Sequence, residues 1–407
     1  MKVLIRSIYP YLFLFFCFVI PLDKYATAVP NIVLIALLAT FPFAVKKEDF
    51  QKLMKKEVLF FAGLVAVLFL NSLLFHDFMK DVTILKKVGS ALLLLVLFIP
   101  LEKTENLKKT LIISVLLCIV ICLFNLYGYY VSEGAFNFSS GSVINDVLII
   151  DRLYLGFLCV LSIVASIALI GNRYNEYNKW YFANIVFCVG FVLLISSRIA
   201  VLLLLLLFLL KIFYTKGKKE YILFFIGVIA LVFAAFLVNK NLNDRFFYAH
   251  STQKDEKSYI ELFMQWEPRA VIWECNYKII TEGDFTVFGS GFYNTKDKLV
   301  NCYEEVIDKE PRKAYFVRER FNPHNQYVDF LLSSGILPML LYIVVYGMMF
   351  MRNRRSYYKT ALLISVAAFA FIESHFHRQM GAYIFAIILI MAIYPLRKPT
   401  PKSIEEV

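Results

Sequence analysis

This 407-residue chain has no Asp-x-Asp, no CxxC pair, and no Cys/His cluster with zinc spacing. The first absence removes the usual metal anchor of a nucleotide-sugar transferase. The second and third remove a dithiol motif and a zinc module. Charge is also sparse, with only 18% Asp, Glu, Lys and Arg against 60% hydrophobic residues. Soluble domains carry about a quarter charged residues and about half apolar ones, so the composition excludes an ordinary soluble domain and indicates an integral membrane protein. Acids are fewer than bases, 31 against 43, for a net charge of +12. Nucleic acid is not the implied partner, because the Lys and Arg sit in small clusters between apolar runs, the pattern of topology signals. No internal repeat with matching broken helices occurs, which argues against a transporter or flippase.

What is present is apolar and aromatic, with 40 Phe and 25 Tyr. A span needs about 20 mostly apolar residues. Twelve runs qualify or come near it: 7–21, 30–45, 58–75, 82–101, 111–130, 153–170, 181–195, 200–213, 221–238, 336–350, 361–372 and 383–394. The basic N-terminus lacks a clean cleavage site after its apolar run, so it reads as a first span and not a removed signal. Loops 46–56, 103–109, 173–179, 216–219, 352–359 and 397–402 are rich in Lys and Arg and share one side with both termini. The positive-inside rule makes that side cytoplasmic. Loops 22–29, 76–81, 131–151, 196–198, 239–325 and 373–378 then face out. The expected fold is an all-α polytopic membrane protein of about twelve transmembrane helices. Its parts are helices 1–9 over 1–238, a large outer loop over 239–325, and helices 10–12 with a basic tail over 326–407.

The long polar stretch carries Trp266-Glu267-Pro268-Arg269 near its start and Phe321-Asn322-Pro323-His324-Asn325 at its end. Pro268 suits the first turn of a helix, and Val271, Ile272, Cys275 and Ile279 fall near helical spacing, so one face can dock. Arg269 lies in that first turn, where the helix terminus is itself positive. The position calls for an anionic partner, either a ligand or an acid such as Glu267. Gly289-Ser290-Gly291 reads as a flexible turn. Asn322-Pro323 favours a turn before His324, a residue type able to act as a base near neutral pH. Arg318 and Arg320 suit either a polyanionic ligand or a solvated face. Arg198, with Ser197 beside it, interrupts two apolar runs. An ionisable group at membrane depth costs about 2.5–3.5 kcal/mol on insertion scales and is a functional candidate by default, although an arginine can also snorkel. Glu373, His375, His377 and Arg378 form one more polar cluster, which could line the site or terminate helices, with termination the favoured reading. Its His-x-His spacing puts the rings on different faces of a helix and disfavours a metal pair. Cys275 and Cys302 are the two cysteines of the outer loop, and a bridge between them is open on sequence grounds.

His324-Asn325, nine residues, then Gly335 resembles the signature of the O-antigen ligase-related superfamily. This group comprises lipopolysaccharide O-antigen ligases, some O-antigen polymerases and bacterial O-oligosaccharyltransferases. Ser197-Arg198, Arg269 with Trp273, and Gly289-Ser290-Gly291 stand in matching order, and the resemblance runs from about Tyr181 to Pro338. It implies transfer of a glycan from undecaprenyl diphosphate to an acceptor hydroxyl, lipid A-core or another glycan, at the periplasmic face of the inner membrane. Ligation and repeat-unit polymerisation both fall within it. On that reading Arg198, Arg269 and His324 are catalytic. Asn325, Arg318, Arg320 and Ser197 bind substrate, and no metal or cofactor is needed.

Overall fold

The computed structural model describes residues 2–22, 24–101, 104–134, 141–171, 175–215, 218–238, 243, 267–282 and 286–394. Asp23, Lys103, Asn172, Arg173, Lys216, Trp266 and the basic tail lie outside the described residues. Among the described residues regular structure is entirely helical. Helices α1 (Lys2–Val19), α2 (Val29–Ala44), α3 (Lys56–Phe75), α4 (Phe78–Phe98), α5 (Glu105–Glu133), α6 (Gly141–Val147), α7 (Arg152–Leu169), α8 (Asn178–Leu194), α9 (Arg198–Ile212) and α10 (Lys218–Val238) precede the long polar stretch. Helices α11 (Pro268–Thr281), α12 (Phe292–Val306), α13 (Glu310–Glu319) and α14 (Gln326–Ser334) follow it or lie within it. Helices α15 (Ile336–Asn353), α16 (Tyr357–Ala370) and α17 (Gln379–Ile393) close the bundle. Each of the twelve apolar runs falls on one of these helices.

Val3–Leu22, α3, α5, α7 and α15 are long and apolar enough to cross a membrane, and a sixth span results if α2 is joined to the 3-10 helix Lys47–Met54, bent from it by 117°. The chain is therefore all-helical with five to six candidate spans among the described residues. Helix α17 is apolar all round and buried from Met380 to Ile393, as a central helix must be. It packs on α4 and α16, while α7 is enclosed by α5, α8, α9 and α16. The outer helices instead expose Leu70, Phe124, Leu202 and Phe233, side chains that suit a lipid surface.

The basic loops also close helix ends. Lys52 Nζ donates to Ile99 O at 2.5 Å and Leu101 O at 3.2 Å, beyond the end of α4. Lys55 reaches Ile393 O at 3.1 Å and Lys359 reaches Ala392 O at 2.7 Å, at the end of α17. Terminal carbonyls without intrahelical partners and the negative end of the helix dipole both attract an ammonium.

Helices α11 to α14 form a small second core around Ile272, Cys275, Leu299, Tyr303 and Phe316. A disulfide joins Cys275 to Cys302 across it. As the spacing in α11 predicts, Val271, Ile272, Cys275 and Ile279 are all buried. The expected flexible turn at Gly289-Ser290-Gly291 is corrected by the structure. Ser290 N donates to Leu332 O at 2.9 Å, Gly291 N to Ser333 O at 2.8 Å, and Ile336 N to Val287 O at 3.2 Å. Gly289 (φ 78°) lies against the Ser333 backbone and Gly335 (φ 88°) against Val287 O, leaving no room for a Cβ. Glycine is needed here for close backbone approach and a left-handed φ, and its effect is to fix the turn.

Candidate active site

Four distant stretches meet where α9, α11, the turn before α14 and the turn before α17 come together. Arg198 is the first residue of α9. The chain reaches it through Ser196, held at φ 52°, and Ser197, whose hydroxyl is buried against Gly156 of α7. Ser197 thus serves the α7–α9 contact. Pro268 starts α11, which makes Glu267 its N-cap residue, yet the Glu267 side chain does not cap the helix. It bridges two arginines instead. Arg198 Nη2 donates to Glu267 Oε2 at 2.5 Å, and Arg269 Nη1 donates to Glu267 Oε1 at 3.1 Å. Arg269 also donates from Nε to Ile372 O at 3.1 Å and places Nη2 3.9 Å from Glu373 Oε2.

His324 enters from the other side. The Asn322 side chain accepts from His324 N at 2.9 Å, and Asn276 of α11 donates to Pro323 O at 3.0 Å. These bonds hold His324 at φ 46°, a conformation uncommon outside glycine and sustained only by such surrounding constraints. Its Nδ1 lies 3.0 Å from Glu373 Oε2. Asn325 caps α14, accepting from Tyr327 N at 3.0 Å and Val328 N at 3.1 Å, and its own N donates to Ser374 Oγ at 3.2 Å.

The charges are layered. The Glu267 and Glu373 side chains are 9% and 4% exposed, while Arg198, Arg269 and His324 are 21%, 24% and 16% exposed. Two carboxylates form the floor, and two guanidinium groups and an imidazole lie above it. Burial pushes the Glu373 carboxyl up, but His324, Arg269 and Arg378 outweigh burial and hold it at about 2. Burial likewise opposes ionisation of Glu267, and Arg198 and Arg269 together keep it below the usual carboxylate range. An ionised Glu373 can only accept, so the His324 Nδ1 proton donates to it. In the neutral ring that tautomer leaves Nε2 as the imidazole's acceptor.

The two partners weighed for Arg269, an acid or a ligand, are not exclusive. Glu267 is its partner, as the sequence allowed, and it also takes Arg198. A guanidinium has five donors, more than one carboxylate can occupy. Arg318 and Arg320 are not brought to this cluster. Arg318 donates to its neighbour Glu319 at 2.9 and 3.1 Å, and Arg320 pairs with Asp297 of α12. Of the two readings of Glu373, the favoured one, helix termination, gives way to the other, since Glu373 contacts both His324 and Arg269. The sequence signal was the one that marked Arg198: an ionisable residue set directly against an apolar run. His375 and His377 lie on a 3-10 turn and face apart. Burial among Tyr342, Phe376 and Phe385 pushes His375 down to about 3, whereas His377 Nε2 meets Asp329 Oδ1 at 2.9 Å. Among the described residues no three His, Cys, Asp or Glu side chains group as metal ligands.

Residues 183–343 match the family model Wzy_C, described as O-antigen ligase. The match runs from α8 into α15 and contains Arg198, Glu267, Arg269, His324 and Gly335, while Glu373 lies beyond it. No curated protein matches the chain. Over these residues, less than half of the chain, the sequence is similar to an O-antigen ligase domain, a likeness that supports the O-antigen ligase-related superfamily.

Proposed function

We propose that this protein is a polytopic membrane glycosyltransferase that moves a glycan from undecaprenyl diphosphate to an acceptor hydroxyl on lipid A-core, at the periplasmic face of the inner membrane. The family match supports the reaction class. The observation that carries the assignment of residues is the convergence of Arg198, Arg269 and His324 on Glu267 and Glu373, through bonds of 2.5–3.1 Å. In this reading all twelve apolar helices span the membrane, both termini are cytoplasmic, and 239–325 is periplasmic.

Arg198 and Arg269 take the diphosphate of the donor, offering planar, multidentate donors where negative charge grows as the anomeric C–O bond breaks. Glu267 holds the two guanidinium groups in one orientation before substrate arrives, and such preorganisation is the main source of electrostatic catalysis. The acceptor oxygen forms the new bond to the anomeric carbon, undecaprenyl diphosphate departs with the electrons of the old one, and His324 Nε2 takes the hydroxyl proton. Glu373 fixes the imidazole tautomer and stabilises the imidazolium that forms. No step calls for a metal, so transfer should continue in EDTA.

The glycan phenotype of a deletion strain tests the reading. Loss of all long chains from lipid A-core, with lipid-linked polymer accumulating, fits a ligase. Loss of chain length alone would replace ligation by repeat-unit polymerisation.

A further inference from the structure

We infer that Lys87 of α4 and Lys296 of α12, with Arg378, form a second anion subsite that holds an oxyanion carried by the acceptor glycan. The inference rests on the glycan-transfer reading above and deepens it. Glu373 begins the turn that ends at Arg378, so whatever binds at the end of this turn lies beside the His324–Glu373 pair. Lys87 Nζ donates to His377 O at 2.6 Å within the turn. An ammonium has three donors, and this bond uses one. The Phe292 and His377 rings lie 6.1 Å apart, which sets the first turn of α12 on the same segment. Lys296 is four residues further along α12 and therefore on the same face. Lys296 and Arg378 are close enough to repel the Lys87 ammonium.

The local charges do not balance. Arg378 is paired with Asp151 and Arg320 with Asp297. Asp329 is engaged by His377 Nε2 at 2.9 Å and by Gln326 Nε2 at 3.0 Å. Lys296 senses Asp329, but among the described residues no carboxylate forms an ion pair with Lys87 or Lys296. Both are half-buried. The Nδ1 atom of His377 is also buried and has no partner among the described residues. Half-buried ammonium groups with no carboxylate in direct contact are unfavourable unless an anion joins them. The arginine cluster differs, because there two buried carboxylates match two guanidinium groups. A donor brings one diphosphate. A separate cluster of cations on the turn that begins at Glu373 implies that the second substrate is anionic as well, with phosphate the oxyanion that lysine serves well as a point charge.

The test uses the full-length protein in nanodiscs and three ligands: lipid A-core, the same glycolipid after phosphatase treatment, and undecaprenyl diphosphate. The wild type should bind the phosphorylated acceptor about 10–100-fold more tightly than the dephosphorylated one, the worth of one or two charge-assisted contacts. Lys87→Gln/Lys296→Gln should erase that difference and keep its affinity for undecaprenyl diphosphate. The single variant Lys296→Glu, on the partly exposed face of α12, should do the same should the double variant not fold. Indifference of the wild type to phosphate would overturn the inference. So would lysine variants that lose the diphosphate and keep the acceptor preference. Arg269→Lys separates the two readings: if it keeps undecaprenyl diphosphate affinity, the arginine assignment fails whatever the lysines do.

Discussion

Replacing Glu373 by Gln keeps the shape of the site and removes one buried charge. The carboxylate accepts from His324 Nδ1 at 3.0 Å and lies 3.9 Å from Arg269 Nη2. Glutamine can still accept a hydrogen bond, but it has no charge to set against the imidazolium formed when the acceptor proton arrives. It can also donate, which admits the tautomer with its proton on Nε2. Hydrogen bonds to charged groups are worth about 1.5–3 kcal/mol, roughly twice neutral ones. The expected loss of about 1.4–2.8 kcal/mol is a ten- to hundredfold fall in kcat. KM for the donor should change little, because the imidazolium exists only towards the transition state. Turnover of a lipid-diphosphate glycan by purified, folded enzyme measures both. A kcat within twofold of wild type would refute the argument. The same substitution has a signature in stability. The folded carboxyl is held at about 2 against an ordinary 4.5. A depressed carboxylate stabilises the fold fully above about 4.5, and the contribution disappears as pH falls towards about 2. At about 1.4 kcal/mol per pH unit that is on the order of 3 kcal/mol, and acid unfolding of the Gln variant should lack this dependence.

Arg269→Lys should weaken donor affinity as well as rate, because an ammonium cannot reach Glu267, Ile372 O and a phosphate together; equilibrium binding of undecaprenyl diphosphate checks it. Non-reduced peptide mapping should recover Cys275 linked to Cys302, and Cys275→Ser should destabilise the α11–α14 core by about 2–4 kcal/mol, read as earlier proteolysis of this region. Cysteines introduced at Ser356 and Lys309 should label oppositely with an impermeant reagent on intact cells. Labelling of position 356 from outside would reverse the topology.

The helices were legible because a span is a long, simple signal: each apolar run became a helix, with ends shifted by a few residues. Arg198, Arg269 and His324 were legible for a related reason, since charged or titratable groups stand out against apolar runs and at helix starts. What pairs them was not. Glu267 was visible as a neighbour of Arg269 two residues away, but its bond to Arg198 spans 69 residues, and only the fold closes that distance. Glu373 had the right signal, but three polar neighbours made helix termination the simpler explanation. Gly289, in the stretch read as a flexible turn, was misread as freedom because sequence shows that glycine allows a turn and not that another backbone lies where its side chain would be.

The central claim is that His324 takes the acceptor proton while the arginines hold the diphosphate. His324→Ala, purified and folded, tests it in one experiment that follows glycan transfer and undecaprenyl diphosphate binding together. Transfer should fall by about 10²–10⁴-fold, the usual contribution of a general base, with diphosphate affinity unchanged. Near-normal turnover would contradict the assignment, and so would a loss of diphosphate binding that accounts for the whole defect.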